Sequence, residues 1–318
     1  MKEIYISKND GNQRFDRFLR KYFENAPLSV IQKNIRKKNF KINDKRAKAD
    51  DFINENDKIT MYISDENYDK WLRKTDFKPS DFNLNIVFED DNVIIMDKDK
   101  GLLTHASSKA DYGKNLVDQM LSYLYKTGQV DKTDKTFNPA VVNRLDRNTE
   151  GLVIGAKNST SLRSLNEAIK KREIDKYYLT IVKGDIRENF TIETKIAKND
   201  RKNKVKSSKD GSNILTHFRP IESNGKFTLL ECQLITGKTH QIRFSLAKNN
   251  TPIIGDRKYG DSATNRLLNE EYKINNQILL AYKIKFNHIK ELAYLENREF
   301  KSDKAGEIYR LKDKIFQI

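Results

Sequence analysis

A chain of 318 residues with 61 Lys and Arg against 45 Asp and Glu carries a formal charge of +16, and its length suits one large domain with a small one or two medium domains. That surplus favours a polyanionic partner, because surface cations displace counterions from phosphates; a general enrichment in Lys and Asn is the plainer alternative. The single cysteine, Cys232, excludes an intramolecular disulfide and a thiolate metal cage, and without an apolar run of membrane-spanning length or a leader-like start the chain is expected to be soluble and cytoplasmic, with no membrane partner.

Residues 1–63 read as a separate small module. Ile4, Tyr5 and Ile6 suggest a short strand, and Phe15, Phe18, Leu19, Tyr22 and Phe23 share one helical face. A second helix begins at Pro27-Leu28-Ser29, with Ser29 as its N-cap. An apolar–polar alternation from Phe40 runs into a turn at Asn43-Asp44, and Asp57–Ile63 is strand-like again. Lys33, Arg36, Lys37, Lys38, Lys41, Lys45, Arg46 and Lys48 crowd the second helix and the turn after it, with Asp44 the only acid among them. A solvated helix face would interleave acids for i,i+4 pairing, so the cluster is read as an anion-binding surface.

Residues 64–82 are polar and read as a linker. From residue 83 to 318, short strands alternate with a few helices without a regular βαβ rhythm, which favours an α+β class. Strands are predicted on both sides of the acidic turn at Glu89–Asn92, at Tyr177–Val182, Leu215–Pro220, Phe227–Ile235 and Ile278–Phe286; helical spacing marks Leu116–Leu124 and Leu162–Ile169. Lys198–Lys206 is a basic hairpin tip or loop and a second candidate anion-binding surface. Between Ala140-Val141-Val142 and Leu152-Val153-Ile154 lies a polar turn in which Asp146 sits between Arg144 and Arg147. Such a turn can present a nucleophile or be stabilised by its own salt bridge. Gly151, Gly237 and Gly255 read as turn glycines.

Two resemblances give these elements a meaning. Gln13–Leu19, the Gln32–Lys38 helix, Ile42-Asn43-Asp44-Lys45 and Asn56–Ile59 resemble the S4 RNA-binding domain, a small α/β (αL) fold; the resemblance implies that Arg36, Lys37, Lys38, Lys45 and Lys48 lie against an RNA backbone. In the larger domain, Asn143–Leu152 resembles the H-R-L-D-x-x-T-S-G-L motif of the RluA-type pseudouridine synthases. Lys176-Tyr177-Tyr178 resembles that family's K-x-Y strand, Gly237–Leu246 its G-R-x-H-Q-I-R-x-x-L element, and Phe88–Leu102 and Pro252–Gly260 the segments that flank them. The resemblance implies a catalytic domain with a mixed, mainly antiparallel sheet and an RNA uridine isomerase acting on 23S ribosomal RNA or its precursor particle. A monomer without cofactor or metal is expected.

Isomerising uridine means breaking the C1′–N1 bond, rotating the uracil and rejoining it through C5, and a carboxylate serves this as nucleophile or as electrostatic stabiliser. The resemblance places Asp146 in that role, Arg243 as its ion-pair partner and Tyr178 against the target uracil. Arg144 and Arg147 are assigned to the RNA and the loop, with Arg144 reaching into the space the flipped base vacates or bridging within the loop. Thr149, His240 and Gln241 are supporting residues, the last two orienting the motif by hydrogen bonds. Asn143, Glu150 and Asp99 depart from the family's His, Ser and Pro; Glu150 adds an acid near Asp146 that would raise its pKa unless Arg147 neutralises it. A transfer-RNA isomerase and a non-catalytic assembly factor are the alternatives, whereas an aspartate-based hydrolase would need a second carboxylate at a recognisable spacing.

Overall fold

The computed structural model describes residues 1–72, 79–130, 134–199 and 204–317. In the first module, strands β1 (Lys2–Tyr5), β3 (Phe40–Ile42), β4 (Lys45–Arg46) and β6 (Lys58–Met61) form one sheet in the order β1-β6-β3-β4, and β2 (Gln13–Arg14) pairs with β5 (Phe52–Ile53). Helices α1 (Phe15–Tyr22) and α2 (Leu28–Arg36) pack on these strands, because Phe15, Phe18, Leu19, Ile31 and Ile35 recur at helical spacing and are buried together. Helix α2 starts two residues earlier than a Ser29 N-cap implies. Pro27 takes the N-cap position with φ −56° and ψ 141°, and its carbonyl accepts from Val30 and Ile31, so Ser29 falls inside the helix.

The segment read as a linker opens with a helix, α3 (Asp65–Trp71), capped by the Ser64 hydroxyl. Trp71 is buried against Phe23 at 5.6 Å between ring centroids, and the Asn25 backbone and side-chain N–H groups bond the carbonyls of Trp71 and Leu72. The core of the first module therefore runs to residue 72. Part of the remaining segment, 73–78, lies outside the described residues.

The large domain is built on β7 (Ile86–Glu89), β8 (Val93–Lys98), β9 (Ala140–Val141), β10 (Glu150–Ala156), β11 (Ile174–Lys183), β12 (Phe190–Asn199), β13 (Lys204–Ser207), β14 (Ser212–Ser223), β15 (Phe227–Leu234), β16 (Leu279–Phe286) and β17 (Glu299–Lys301). They form one sheet in the order β13-β12-β14-β15-β11-β16-β10-β8-β7, with β9 on β10 and β17 on β16. The β10–β16 pair is parallel and the other strand pairs are antiparallel, so the sheet is mixed and mainly antiparallel. Lys198–Lys206 falls on the β12–β13 hairpin, whose tip, 200–203, lies outside the described residues.

The central strands are apolar at successive positions because both faces are covered. On β8 and β10, Val93, Ile95, Leu152 and Ile154 face α5 (Ser159–Lys171), while Ile94, Met96 and Val153 face α4 (Leu116–Lys126) and α6 (Gln241–Lys248). Helices α7 (Ser262–Tyr272) and α8 (Ala305–Ile315) cover β11 and β16 from the α5 side through Leu268, Ile308 and Ile315. The face under α4 and α6 carries the site. No described helix is long and apolar enough to cross a membrane.

The two modules touch. Asp10 is fully buried and accepts from the backbone N–H of Lys135 and Thr136 and from the Thr136 hydroxyl. Asp134 accepts from Ser7 and Asn9, and Asn9 in turn accepts from the Ser159 N–H at the start of α5.

Candidate active site

The loop between β9 and β10 is held before its side chains are considered. The Thr104 hydroxyl donates to the Leu145 carbonyl at 3.0 Å and accepts from the Leu145 N–H at 3.2 Å. Buried Leu145 thereby anchors the loop in the core, and Asp146 and Arg144 on either side turn outward. The Thr149 N–H closes the turn on the Asp146 carbonyl, and the Thr149 hydroxyl is reached by Gln277. Asn143 extends the ladder with its side chain, since its amide donates to the Leu152 carbonyl and accepts from the Ile154 N–H. An amide fulfils this strand-like duty at the position where the family pattern has His.

Asp146 keeps 26% of its side chain exposed, so it can be reached from solvent. Its Oδ2 lies 2.8 Å from Arg243 Nη1. Arg243 sits on α6, and it is 5% exposed rather than a surface charge. The same guanidinium is held from behind by Asp256, which accepts from Nε at 2.7 Å and Nη2 at 2.9 Å. Asp256 is fully satisfied, because its Oδ1 also accepts from the N–H groups of Lys258 and Tyr259. Burial raises the Asp256 pKa, but bonds from Arg243 and from these two amides outweigh it and hold the carboxyl below its usual range. Arg243 thus has its geometry fixed by Asp256 and one arm left for Asp146.

Other elements complete the site. Tyr178, on β11, is buried on the same face as Leu145 and Ile242. Burial, then the Asp146 charge, pushes its phenol pKa up, so the ring stays protonated and neutral. His240, at the start of α6, adopts a left-handed backbone (φ 54°), points Nε2 to within 3.7 Å of Asp146 Oδ2 and places Nδ1 3.0 Å from the Tyr259 hydroxyl. Gln241 spends its amide on the fold: it accepts from Thr236 and the Lys238 N–H and donates to Leu215 and Thr216.

The structure therefore brings Asp146, Arg243, His240 and Tyr178 together, with Thr149 and Gln241 bracing the loop and the helix. Arg144 is exposed and forms no ion pair among the described residues. Arg147 is turned toward Asp111, at 4.0 Å, and does not neutralise Glu150. The charge of Glu150 acts instead on buried Lys98, whose pKa is pulled down to about 8 by burial, with Glu150 opposing and Lys304 adding to the shift. Arg36, Lys37, Lys38, Lys45 and Lys48 lie apart, exposed on the first module, and form no ion pairs among the described residues. Asp44 is paired with Lys58 at 2.9 Å instead of with this cluster.

Three contributors escaped the sequence reading. Lys98 Nζ donates to the carbonyls of Asp99, Leu102 and Arg147, clamping the Asp146 loop to the end of β8; a lysine closing an apolar strand was its signal. Asp99, in place of the family's Pro, receives Lys304 from the approach to α8 at 2.6 Å. Asp256 lies in the Pro252–Gly260 segment, where nothing in the spacing marks it as the partner of a buried arginine. Among the described residues no His, Cys, Asp and Glu group could hold a metal ion.

Residues 92–248 match the RNA pseudouridylate synthase family, a span that contains Asp146, Tyr178 and Arg243. Ribosomal large subunit pseudouridine synthase C of Buchnera aphidicola is 32% identical over 297 residues, covering 90% of each chain. An uncharacterized RNA pseudouridine synthase of Mycoplasma capricolum is 35% identical over 309 residues, covering 94% of this chain and 96% of its own. Among solved structures, human RNA pseudouridylate synthase domain containing 4 superposes with a TM-score of 0.53 at 21% identity, over 69% of this chain and 88% of that one, which shows a shared fold. With these relatives matching along most of its length, the chain belongs to the RluA-type RNA pseudouridylate synthases, isomerases that convert uridine in RNA to pseudouridine.

Proposed function

We propose that this enzyme modifies uridines of 23S ribosomal RNA, with Asp146 as the catalytic carboxylate and the first module as an S4-type RNA-binding arm. The observation that carries the assignment is the Asp146–Arg243 contact of 2.8 Å at the mouth of a buried pair. A carboxylate that acts while ionised needs a fixed cationic donor beside it, with a nitrogen not already taken by its own support. The Arg243 fork meets both conditions, since one edge binds Asp256 and the remaining nitrogen faces Asp146.

In this reading the target uridine leaves its stack and enters the cleft beside Tyr178, whose neutral ring offers a flat face to the uracil. Asp146 then serves cleavage of the C1′–N1 bond, by covalent attack or by stabilising the positive charge that develops. Exposed Arg144 is placed to fill the vacated space, and Arg147 to meet the strand beside it. The exposed basic surface around α2 and the β3–β4 turn supports phosphate contacts that orient the RNA without choosing its sequence. The names of several relatives, which act on the large ribosomal subunit, support 23S RNA as substrate.

The test is to map pseudouridine in ribosomal and transfer RNA from cells lacking the gene, complemented with wild type or with Asp146→Ala. Loss of 23S sites that wild type restores and Asp146→Ala does not is the expected result. Missing sites in transfer RNA alone would redirect the enzyme to that substrate. Restoration by Asp146→Ala would remove Asp146 from the mechanism and favour a role in ribosome assembly that does not need catalysis.

A further inference from the structure

Tyr259 stands behind the site and touches both His240 and Arg243, the two residues that face Asp146. Its hydroxyl accepts from the Val205 N–H on β13 at 2.8 Å and lies 3.0 Å from His240 Nδ1. The Arg243 guanidinium lies 5.4 Å from the centre of its ring, and Phe244 packs edge-on against it. The ring is therefore fixed on several sides, and its hydroxyl hydrogen has few directions left to point.

Donor and acceptor accounting then decides the state of His240. Val205 can only donate to the phenol oxygen, which leaves the phenol its own hydrogen to give. If that hydrogen goes to His240 Nδ1, the imidazole carries its proton on Nε2, facing Asp146 Oδ2 at 3.7 Å. The opposite tautomer would aim the Nε2 lone pair at a carboxylate, which is repulsive. A doubly protonated ring is disfavoured as well: burial, the largest influence, lowers the His240 pKa, with Asp146 opposing and Arg243 adding to the shift.

We propose that Tyr259 is a positioning residue that holds His240 as the Nε2–H tautomer, so that the imidazole donates toward Asp146 and, with Arg243, fixes the direction of its free oxygen. The left-handed backbone of His240, uncommon for a residue with a Cβ, is consistent with a ring whose placement is set by such contacts. Because the same hydroxyl receives Val205, the arrangement also ties the carboxylate to the seating of the β12–β13 hairpin. The proposal rests on Asp146 being the catalytic carboxylate, but the tautomer can be read without any activity.

The decisive measurement is long-range proton–nitrogen NMR on the full-length chain labelled with ¹⁵N-histidine, with the His240 signals assigned by their loss in His240→Asn. At neutral pH, Nε2 should resonate as the protonated ring nitrogen and Nδ1 as the bare one. A protonated Nδ1, alone or in an imidazolium, overturns the proposal whatever becomes of the variants. In Tyr259→Phe the two tautomers should mix, and kcat on an RNA substrate should fall on the order of tenfold, as befits one weakened polar contact to a charged group, with KM little changed. An unchanged tautomer with unchanged kcat, or a loss confined to KM, would refute it. Asp146→Asn with full activity would sink the catalytic reading while leaving the tautomer result standing, so the two failures are distinguishable.

Discussion

Arg243 binds two carboxylates with different duties, and replacing it separates them. Lysine at this position keeps the charge but loses the fork that meets Asp256 through Nε and Nη2 while Nη1 faces Asp146. Arg243→Lys should therefore lower kcat by about a hundredfold through misplacement of Asp146, with a much smaller change in KM, in single-turnover assays on RNA. Truncation to Arg243→Leu leaves Asp256 buried without its cation and should cost about 3–5 kcal/mol in urea unfolding. The pH dependence follows from the lowered Asp256 pKa. A carboxyl depressed in the folded state stabilises it fully above the ordinary aspartate value of 3.8 and loses that contribution as pH falls through the folded value. Asp256→Asn should accordingly be less stable at neutral pH and show a flatter loss of stability in acid than wild type.

At the scale of elements, the junction of β10 and β16 is the tightest point near the site. Gly151, expected in a turn, lies inside β10 with φ 110°, and a Cβ there would sit 2.2 Å from the Ala281 carbonyl oxygen. The glycine is needed for the close approach of two parallel strands, five residues after Asp146 in the chain. Gly151→Ala should destabilise the protein by about 3 kcal/mol or more in thermal unfolding, since backbone rather than a flexible side chain stands in the way. Strands and helices that announced themselves by long apolar periodicity, such as β8, β11, β15 and α4, were legible in the sequence. The loop carrying Asp146 was legible too, because its polar residues break two apolar runs. Helix α3 was not, since only Trp71 and Tyr68 pack it on the core and its other residues are polar. The bracing of the loop by Thr104 and Lys98 was equally hidden, because these residues meet it only after the strands have paired.

On the scale of the whole molecule, the first module is fastened to the catalytic domain by polar groups close to its own N-terminus and not solely by the chain between them. Asp10 supplies the strongest part, with three donors on one buried carboxylate. Asp10→Ala should leave both modules folded yet weaken their docking by about 3 kcal/mol, given roughly 1–1.5 kcal/mol per bond. Small-angle X-ray scattering checks this as an increased radius of gyration, and circular dichroism as unchanged secondary structure. Nothing in the sequence pairs Asp10 with Lys135 and Thr136, because a contact spanning more than a hundred residues leaves no periodic trace.

If the first module grips RNA as proposed, that fastening makes the enzyme a ruler: a basic surface held at a set distance from Asp146 would select uridines by how far they lie from the gripped feature, as well as by the bases around them. Lengthening a substrate helix by two base pairs between grip and target should then abolish modification by the wild type. The Asp10→Ala enzyme, its gauge slackened, should tolerate the insertion and modify uridines that the wild type passes over.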